Sequence, residues 1–388
     1  MAQRQGIITA MKFFGSSSGF GNGTRALSKG VTRWFPTPRL LLPRAAGIDI
    51  SDSSIKWLSL APESAGYRID SWGEEPLQSG VVVNGAIQDV QALALALGKV
   101  KARLPGIHCA HAALPEEAAY VFSMHVPEET SREQTLRMIE FEFEGRVPIA
   151  PNASVYDFDV ILKHDDGEGQ EIAVAVFPRE LAQSYTAAFD AAGITLLSLE
   201  LEARSIARAV SSRAPDEPIT LLVDFGRART GFAVLKRGIP IFTSTVEVGG
   251  DALTHALMEK QSLSEGEVEV FKNEQGLLPE SSAKSSGADP VTPVASALAD
   301  EVARHYHYWD TRRNERGERV TPVSHVLLVG GSANLKGLTD FIAARVQAPA
   351  EIGDVWRHVY DFDQSIPPIS RRRSLQYATA TGLALRGI

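Results

Sequence analysis

The chain has very little cysteine and no long apolar run. Cys109 is the single cysteine in 388 residues, so no intramolecular disulfide can form, and the composition fits a reducing compartment. No uninterrupted apolar stretch approaches the roughly 20 residues that a membrane-spanning helix needs. His108 and His111 flank the cysteine, but on a strand His108 points away from the other two, so the spacing does not indicate a metal site.

Acidic residues are missing from positions 1–44, which hold seven basic ones. Of the 39 Lys and Arg in the chain, 32 therefore remain for residues 45–388, against 47 acidic residues, which is a net charge of −15. An acidic body of this kind argues against general nucleic-acid binding. The basic head is interpreted as a flexible tail, with weak attraction to an anionic membrane surface and a transit peptide as alternatives.

The stretch 47–56 predicts a strand, a tight polar turn and a return strand. Ile48 and Ile50 share one face of the first strand, and Ser and Asp fill the turn at 51–54. Such a turn offers backbone N–H groups and hydroxyls to phosphate oxygens. Asp49 would then reach a magnesium ion, and Lys56 on the return strand would neutralise charge.

The same strand, acid, turn and strand recur one domain length later, over 220–235. Asp224 ends the apolar strand there, Gly226 lies in the turn and Thr230 begins the return strand. A repeated unit of this kind indicates internal duplication. We therefore expect two hairpins that hold phosphates from both sides.

A third motif begins with the buried aliphatic strand at 324–329 and continues directly into Gly330-Gly331-Ser332. Paired glycines at a strand end allow a flat ring to approach the backbone closely. The expected ring is the adenine of a nucleotide, with its ribose.

The order of the predicted elements divides the chain into parts. The parts are a basic tail, 1–44; a first domain in two pieces, 45–115 and 181–215; an inserted β-α-β-β subdomain, 116–180; and a second domain, 216–388, with a flexible loop at 273–293 and a last helix at 376–385 that packs back on the first domain. A helix is also predicted from near Glu200 to about Ser211.

The three motifs in this order resemble the phosphate-1, phosphate-2 and adenosine motifs of actin-like ATPases. The inserted unit at 116–180 is similar to the subdomain that replaces the usual actin insertion in FtsA and in the PilM family of type IV pilus assembly proteins. Four short sequence segments, at 47–56, 140–148, 193–202 and 330–338, favour the PilM family. The resemblance covers 45–388 and implies an actin-like (ribonuclease-H-like) α/β fold with duplicated domains, a nucleotide cleft and an SHS2-like insertion.

This resemblance also implies a function. The chain would be a cytoplasmic ATP-binding protein, peripheral to the inner face of a bacterial membrane. It would hold the cytoplasmic tail of a PilN-like partner in a groove between the first domain and the inserted subdomain, near the pilus motor ATPases.

By matching positions, the resemblance assigns a set of residues to ATP and Mg²⁺. The phosphate contacts are Asp49, Ser51, Ser53, Ser54 and Lys56 on one side and Asp224, Gly226 and Thr230 on the other, with Asp49 and Asp224 at the metal. The adenosine contacts are Gly330, Gly331 and Ser332, with Glu269 and Lys272 as ribose or adenine contacts.

Two residues depart from the actin-like pattern. Ser51 stands where such hairpins usually carry glycine, and Asp52 adds a negative charge beside the expected phosphates. The departures predict ATP binding with weak or absent hydrolysis. Glu200 and Glu202 are the candidates for positioning an attacking water, with a role in capping a helix as the alternative.

Two further functions belong to the same fold. A small-molecule kinase would need a general base beside the γ-phosphate, and no separate candidate is visible. An FtsA-like filament or cell-division protein would be expected to carry a C-terminal amphipathic anchor, and the sequence at Gly387-Ile388 shows no such helix.

Overall fold

The computed structural model describes residues 43–63, 66–163, 169–212, 214, 217–277, 291–313, 320–363 and 365–387. The predicted basic tail, except Pro43 and Arg44, lies outside the described residues, and so do positions 278–290 of the predicted loop. The described residues form two compact units. The first holds those up to 120, residues 124–205 and those from 379 onward, and the second holds 121–123 and 206–378.

Runs of strands are separated by helices along the chain. Up to residue 212 they are β1 (Ala45–Ile50), β2 (Ser54–Glu63), β3 (Gly66–Pro76), β4 (Val82–Val83), β5 (Ala86–Ile87), α1 (Val90–Ala102), β6 (Cys109–Leu114), β7 (Tyr120–Val126), α2 (Arg132–Arg146), β8 (Ser154–Lys163), β9 (Gln170–Pro178), α3 (Arg179–Ala191), β10 (Thr195–Leu201) and α4 (Glu202–Val210). From residue 217 onward they are β11 (Thr220–Phe225), β12 (Thr230–Lys236), β13 (Ile239–Val246), α5 (Gly250–Gln261), α6 (Glu265–Glu274), α7 (Thr292–Thr311), β14 (His325–Val329), α8 (Leu338–Val346), β15 (Ala350–Ile352), α9 (Arg371–Ser374) and α10 (Ala378–Ala384).

Both units contain a five-stranded mixed sheet with the same arrangement. The order is β10-β6-β1-β2-β3 in the first unit and β15-β14-β11-β12-β13 in the second. In each unit the first strand runs antiparallel to its hairpin partner and parallel to the strand on its other side. The duplication that the sequence predicted is therefore present in the strand order itself.

The central strands explain the apolar runs in the sequence. Ala46 and Ile48 of β1 and Leu221 and Val223 of β11 are fully buried. A strand covered on both faces needs continuous apolar residues rather than alternation. Each hairpin turn thus follows the central strand of its sheet, which is almost completely buried.

Residues 116–180 supply a strand, a helix and two further strands, the order that the sequence predicted. The three strands form a sheet in the order β7-β9-β8, and every residue of β9 from Gln170 to Phe177 is buried. Helix α2 begins with a capping box between Ser131 and Gln134 and buries Ile139 and Phe143. We call residues 116–178 the inserted subdomain below.

Helix α1 begins with a side-chain cap and buries one apolar stripe. The Asp89 carboxylate accepts the Ala92 N–H at 2.9 Å, and Leu93, Leu97 and Val100 are buried. The longest described helix, α7, has 20 residues. Among the described residues, no helix combines the length and the apolarity needed to cross a membrane.

The helix predicted to start near Glu200 is present, and its first residue is Glu202. Glu200 and Leu201 belong to β10, where they pair with Ala113 and Leu114 of β6, and helix α4 begins only at Glu202. The helical pattern of 200–211 is real from 202 onward. At its first two positions, pairing with β6 prevails over local propensity.

Helix α10 explains why residue 47 is glycine. A Cβ atom on Gly47 would lie only 2.0 Å from the Ala380 carbonyl oxygen, and Ala384 follows at 2.6 Å. Within the first unit, the last helix therefore packs directly on β1. Gly47 serves this packing rather than the turn that follows it.

Candidate functional site

The turn at 51–54 in the first unit is closed by its own serines. The Ser51 hydroxyl donates to the Ser54 carbonyl at 3.0 Å and accepts the Ser54 N–H at 3.2 Å. The Ser51 N–H also donates to the Ser54 carbonyl, at 2.9 Å. The side chain that replaces the expected glycine thus folds back on the turn. Ser53 joins the turn to the chain after β3, because its carbonyl accepts the Leu77 N–H at 2.9 Å.

Asp49 and Lys56 face each other across the first hairpin. They pair in register on β1 and β2, and Asp49 is buried. Burial raises the pKa of Asp49, Lys56 acts against this shift, and Glu74 adds to it. The Lys56 ammonium donates to the Ser54 hydroxyl at 3.0 Å and lies 3.5 Å from a Glu74 oxygen. Lys56 is therefore held at the turn by a hydroxyl and a carboxylate.

Asp52, which adds a negative charge to the turn at 51–54, has hydrogen-bond partners on another segment of the chain. Its carboxylate accepts the backbone N–H groups of Asn84, at 3.1 Å, and Gly85, at 3.0 Å. These residues form the turn between β4 and β5, more than 30 positions along the chain. The charge of Asp52 is thus partly neutralised by two backbone donors.

Glu200 and Glu202, the candidates for positioning water, lie in different surroundings. The Glu200 carboxylate is fully buried and accepts from the Arg386 guanidinium at 2.5 Å. Glu202 is the first residue of α4 and lies close enough to Tyr185 to raise the pKa of its hydroxyl. The structure therefore places Glu200 in a buried ion pair and Glu202 near the Tyr185 hydroxyl.

In the second unit, the strand ends of β11 and β14 meet. Gly330 adopts φ +89°, and a Cβ atom there would lie 2.5 Å from Asp224 Oδ1 and 2.4 Å from the Phe225 carbonyl oxygen. Only glycine fits this position, on both conformational and steric grounds. The Asp224 carboxylate thus lies against the bare backbone of the glycine turn, and the structure brings these two motifs together.

Ser332 and Gly226 join the same two turns. The Ser332 hydroxyl donates to the Gly226 carbonyl at 3.0 Å, and the Gly250 N–H donates to that carbonyl at 3.0 Å as well. Gly331 is less confined, because the nearest atom to an added Cβ is the Gln376 Cβ at 3.5 Å. Its exposed backbone remains open to a ligand.

Thr230 is not brought into this group. Its side chain is fully buried, and its hydroxyl donates to the Val248 carbonyl at 2.5 Å. The expected phosphate contact has no support from this geometry. The threonine instead fastens β12 to the segment before α5.

Lys272 and Glu269 lie three residues apart on α6. The Lys272 ammonium donates to the Thr254 hydroxyl at 2.7 Å and to the Gly250 carbonyl at 3.3 Å. Burial lowers its pKa, Asp251 and Glu269 act against that shift, and Arg227 adds to it. Lys272 is thus turned toward the start of α5, beside the Gly226 turn, while Glu269 is exposed.

A polar cavity of about 480 Å³ adjoins the glycine turn, and the sequence did not predict it. Its lining residues come from α6, from the turn after β14 and from α9, and they are Asn273, Glu274, Asn334, Lys336 and Arg372. Asn334 donates to the Arg372 carbonyl at 2.9 Å, which joins two of these segments. Asn273 directly follows Lys272, and Asn334 lies two positions after the Gly-Gly-Ser motif, so extending each motif would have found them.

The two matching sheets, with an acid at the end of each central strand, are characteristic of the actin-like fold. A solved structure titled "PilM-PilN type IV pilus biogenesis complex" superposes with a TM-score of 0.71 at 21% sequence identity, covering 90% of this chain and 99% of that one. The ethanolamine utilization protein EutJ from Carboxydothermus hydrogenoformans gives 0.50 at 17% identity, covering 90% and 91%. At such identities these likenesses show the fold.

The family follows from the sequence itself. The model of the family described as type IV pilus assembly protein PilM matches residues 47–388. The chain therefore belongs to the PilM family of type IV pilus assembly proteins.

Proposed function

We propose that this chain is an ATP-binding adaptor of the type IV pilus assembly platform, located at the cytoplasmic face of the inner membrane. It binds the cytoplasmic tail of a PilN-like partner there, near the motor ATPases. Family membership and the likeness to a chain from a PilM-PilN complex support the partner. One observation carries the nucleotide: the glycine turn at 330–332 lies against Asp224 and Gly226, with a polar cavity beside it.

The second unit offers a surface suited to each part of the nucleotide. The exposed backbone at Gly331 admits a ribose, and the cavity lined by Asn273 and Asn334 has room and amide groups for a purine base. Lys272, beside the Gly226 turn, supplies a positive charge for phosphates. In the first unit, the backbone and hydroxyls of 51–54 with Lys56 supply a second phosphate-binding turn.

The residues present also fit a magnesium ion bound together with the phosphates. Magnesium usually keeps several waters and takes one or two carboxylates plus phosphate oxygens. Each unit can supply one such carboxylate. In the second unit it is Asp224, half-exposed at the end of β11, and in the first unit it is Asp49, at the end of β1. Among the described residues there is no cluster of three ligating side chains, so an all-protein cage is not what this chain offers. The ion would screen phosphate charge.

The proposed function is ATP binding, and one residue is a candidate for a role in hydrolysis. Glu202, in the first turn of α4, is the residue to test for positioning water. Glu200 is less suited because its carboxylate is buried in the pair with Arg386. Binding with weak or absent turnover is the expected behaviour.

The inserted subdomain offers a surface for the partner tail. Helix α2 and Met124 of β7 border a largely apolar hollow of about 370 Å³. Phe141 on its rim is 84% exposed, with Met138 and Arg137 beside it. We place the tail in the groove between the first domain and the inserted subdomain, with an apolar side chain in this hollow.

Calorimetry with MgATP and a synthetic partner tail tests both parts. Asp224→Ala should weaken MgATP binding about tenfold or more, since it removes a charged contact. Asp300→Ala is the matched control, because Asp300 pairs with Arg345 on an exposed surface. If Asp224→Ala binds MgATP as tightly as the wild type, the nucleotide site is misassigned.

The partner surface has its own pair of variants. Phe141→Ser should weaken tail binding about tenfold while MgATP binding stays unchanged. Leu95→Ser, on α1, is the control, because Leu95 is also strongly exposed, at 74%. Equal losses in the two variants would contradict the proposed groove.

A further inference from the structure

The turn between β4 and β5 is held from three sides. Asn84 and Gly85 both have positive φ, 50° and 71°, as a two-residue hairpin turn requires. Both N–H groups donate to the Asp52 carboxylate. A Cβ atom on Gly85 would lie 2.4 Å from the Pro115 ring, so the turn is also packed tightly at the end of β6.

The third contact of this turn leads into helix α3. The Tyr185 hydroxyl donates to the Gly85 carbonyl at 3.0 Å, and the ring is fully buried. Burial raises the pKa of Tyr185, and the negative charges of Glu202 and Asp49, followed by Glu117 and Asp52, raise it further. The hydroxyl is therefore a fixed donor that lies among the carboxylates near the phosphate-binding turn.

Helix α3 continues the connection to the inserted subdomain. It begins directly after β9, the middle strand of that subdomain's sheet. Its first residue, Arg179, donates to the Ser154 carbonyl at 2.6 Å and to the Asn152 carbonyl at 3.0 Å, at the start of β8. A continuous series of hydrogen bonds thus runs from Asp52 through the 84–85 turn and α3 to the inserted subdomain, all within the first unit.

Asp52 occupies the first link of this series and is part of the turn at 51–54. A phosphate bound by that turn would repel the Asp52 carboxylate, and the two N–H donors of the 84–85 turn would compensate. Tightening this contact would restrain the turn, Tyr185 and α3 together. This gives a role to the negative charge of Asp52, which departs from the actin-like pattern.

We propose that Asp52 is a positioning residue that transmits occupancy of the phosphate-binding turn, through the 84–85 turn and Tyr185, to the inserted subdomain. The inference rests on the proposed nucleotide binding. It specifies how MgATP would regulate the surface that we assign to the partner tail. By reciprocity, a bound tail would also strengthen MgATP binding through the same contacts.

Hydrogen–deuterium exchange with and without MgATP tests the proposal on the intact chain. In the wild type, MgATP should slow backbone exchange in the inserted subdomain and at 82–87 by about fivefold or more. Asp52→Asn keeps the shape but loses the charge and offers only one acceptor to the two N–H groups. Tyr185→Phe keeps the ring and loses the hydroxyl. Tyr185→Phe should bind MgATP as the wild type does, and Asp52→Asn should bind it at least as tightly, because a charge that repels the phosphates is removed. Both variants should lose the slowing in the inserted subdomain.

Two controls match these variants. Asp70→Asn removes a carboxylate that pairs with Arg44 in the same unit, and Tyr306→Phe removes a hydroxyl that donates to the Val323 carbonyl in the second unit. Both controls should retain the slowing. Circular dichroism melting shows that each protein measured is folded.

The outcomes separate the two proposals. If the wild type does not bind MgATP, the proposed function fails and this inference fails with it. If the wild type binds MgATP, two results would overturn the transmission alone. Either exchange in the inserted subdomain of the wild type does not slow, or it slows in Asp52→Asn and Tyr185→Phe as much as in the wild type.

Discussion

The Ser332 hydroxyl donates to the Gly226 carbonyl at 3.0 Å and thereby fixes the turn after β14 to the turn after β11. These turns lie more than 100 residues apart in the chain, but their strands are neighbours in one parallel pair. The carboxyl ends of adjacent parallel strands meet at one edge of a sheet, which is where such folds bind ligands. This hydrogen bond therefore joins the Asp224–Gly226 motif and the glycine turn at 330–332 into one surface.

Alanine at Gly330 and at Gly331 should have very different effects. Gly330→Ala should cost about 3 kcal/mol or more, because its φ is +89° and its Cβ would lie 2.4 Å from a carbonyl oxygen. Gly331→Ala should cost about 1 kcal/mol or less, because the nearest atom lies at 3.5 Å. Urea unfolding measures both. Similar losses would mean that the glycine turn is not built as described.

Substitutions at Thr230 distinguish a structural role of its hydroxyl from a role in binding phosphate. Thr230→Val should destabilise the chain by about 1–2 kcal/mol, because the Val248 carbonyl loses the donor that the buried Thr230 supplies. Thr230→Ser keeps the hydroxyl and should recover most of that loss. MgATP affinity should be unchanged in both variants once the fraction folded is taken into account. A tenfold loss of affinity in a folded Thr230→Val protein would restore the phosphate contact predicted from the sequence.

The two hairpins and the glycine turn could be predicted because each is a local pattern. A buried apolar run followed by an acid and a small-residue turn needs no distant partner to be recognised. The role of Asp52 could not be predicted, since its partners at 84–85 lie more than 30 residues away. Glu200 lies in a strand because it pairs with β6. The cavity beside Asn334 is lined by residues from three separate segments. Such features arise from tertiary contacts.

The ion pair between Glu200 and Arg386 should behave as a buried pair rather than as a catalytic device. Glu200→Gln alone should cost about 3–5 kcal/mol, because it leaves the Arg386 guanidinium, only 7% exposed, without its charge partner. The double variant Glu200→Gln, Arg386→Met should recover part of that loss. Denaturant unfolding of the three proteins measures the coupling.

The same variants test the alternative role of Glu200. Any slow ATP turnover of the wild type should persist in the double variant if Glu200 only pairs with Arg386. Glu202→Gln, measured alongside, should lower that turnover if Glu202 positions water. Loss of turnover in the stable double variant, with Glu202→Gln unaffected, would return the catalytic assignment to Glu200.

Asp49 should make stability depend on pH in a defined direction. Burial raises its folded-state pKa above the ordinary 3.8, so the folded chain keeps a proton that the unfolded chain has lost. Stability from this group is therefore complete below about pH 4 and is lost as pH rises through the folded-state pKa. Asp49→Asn, which cannot ionise, should be more stable than the wild type at pH 7, and the difference should shrink as pH falls toward 4. Thermal melting across this range measures it. Asp70→Asn, at an exposed pair, is the control, and a gain for Asp49→Asn that is constant with pH would show that Asp49 is charged in the folded chain throughout.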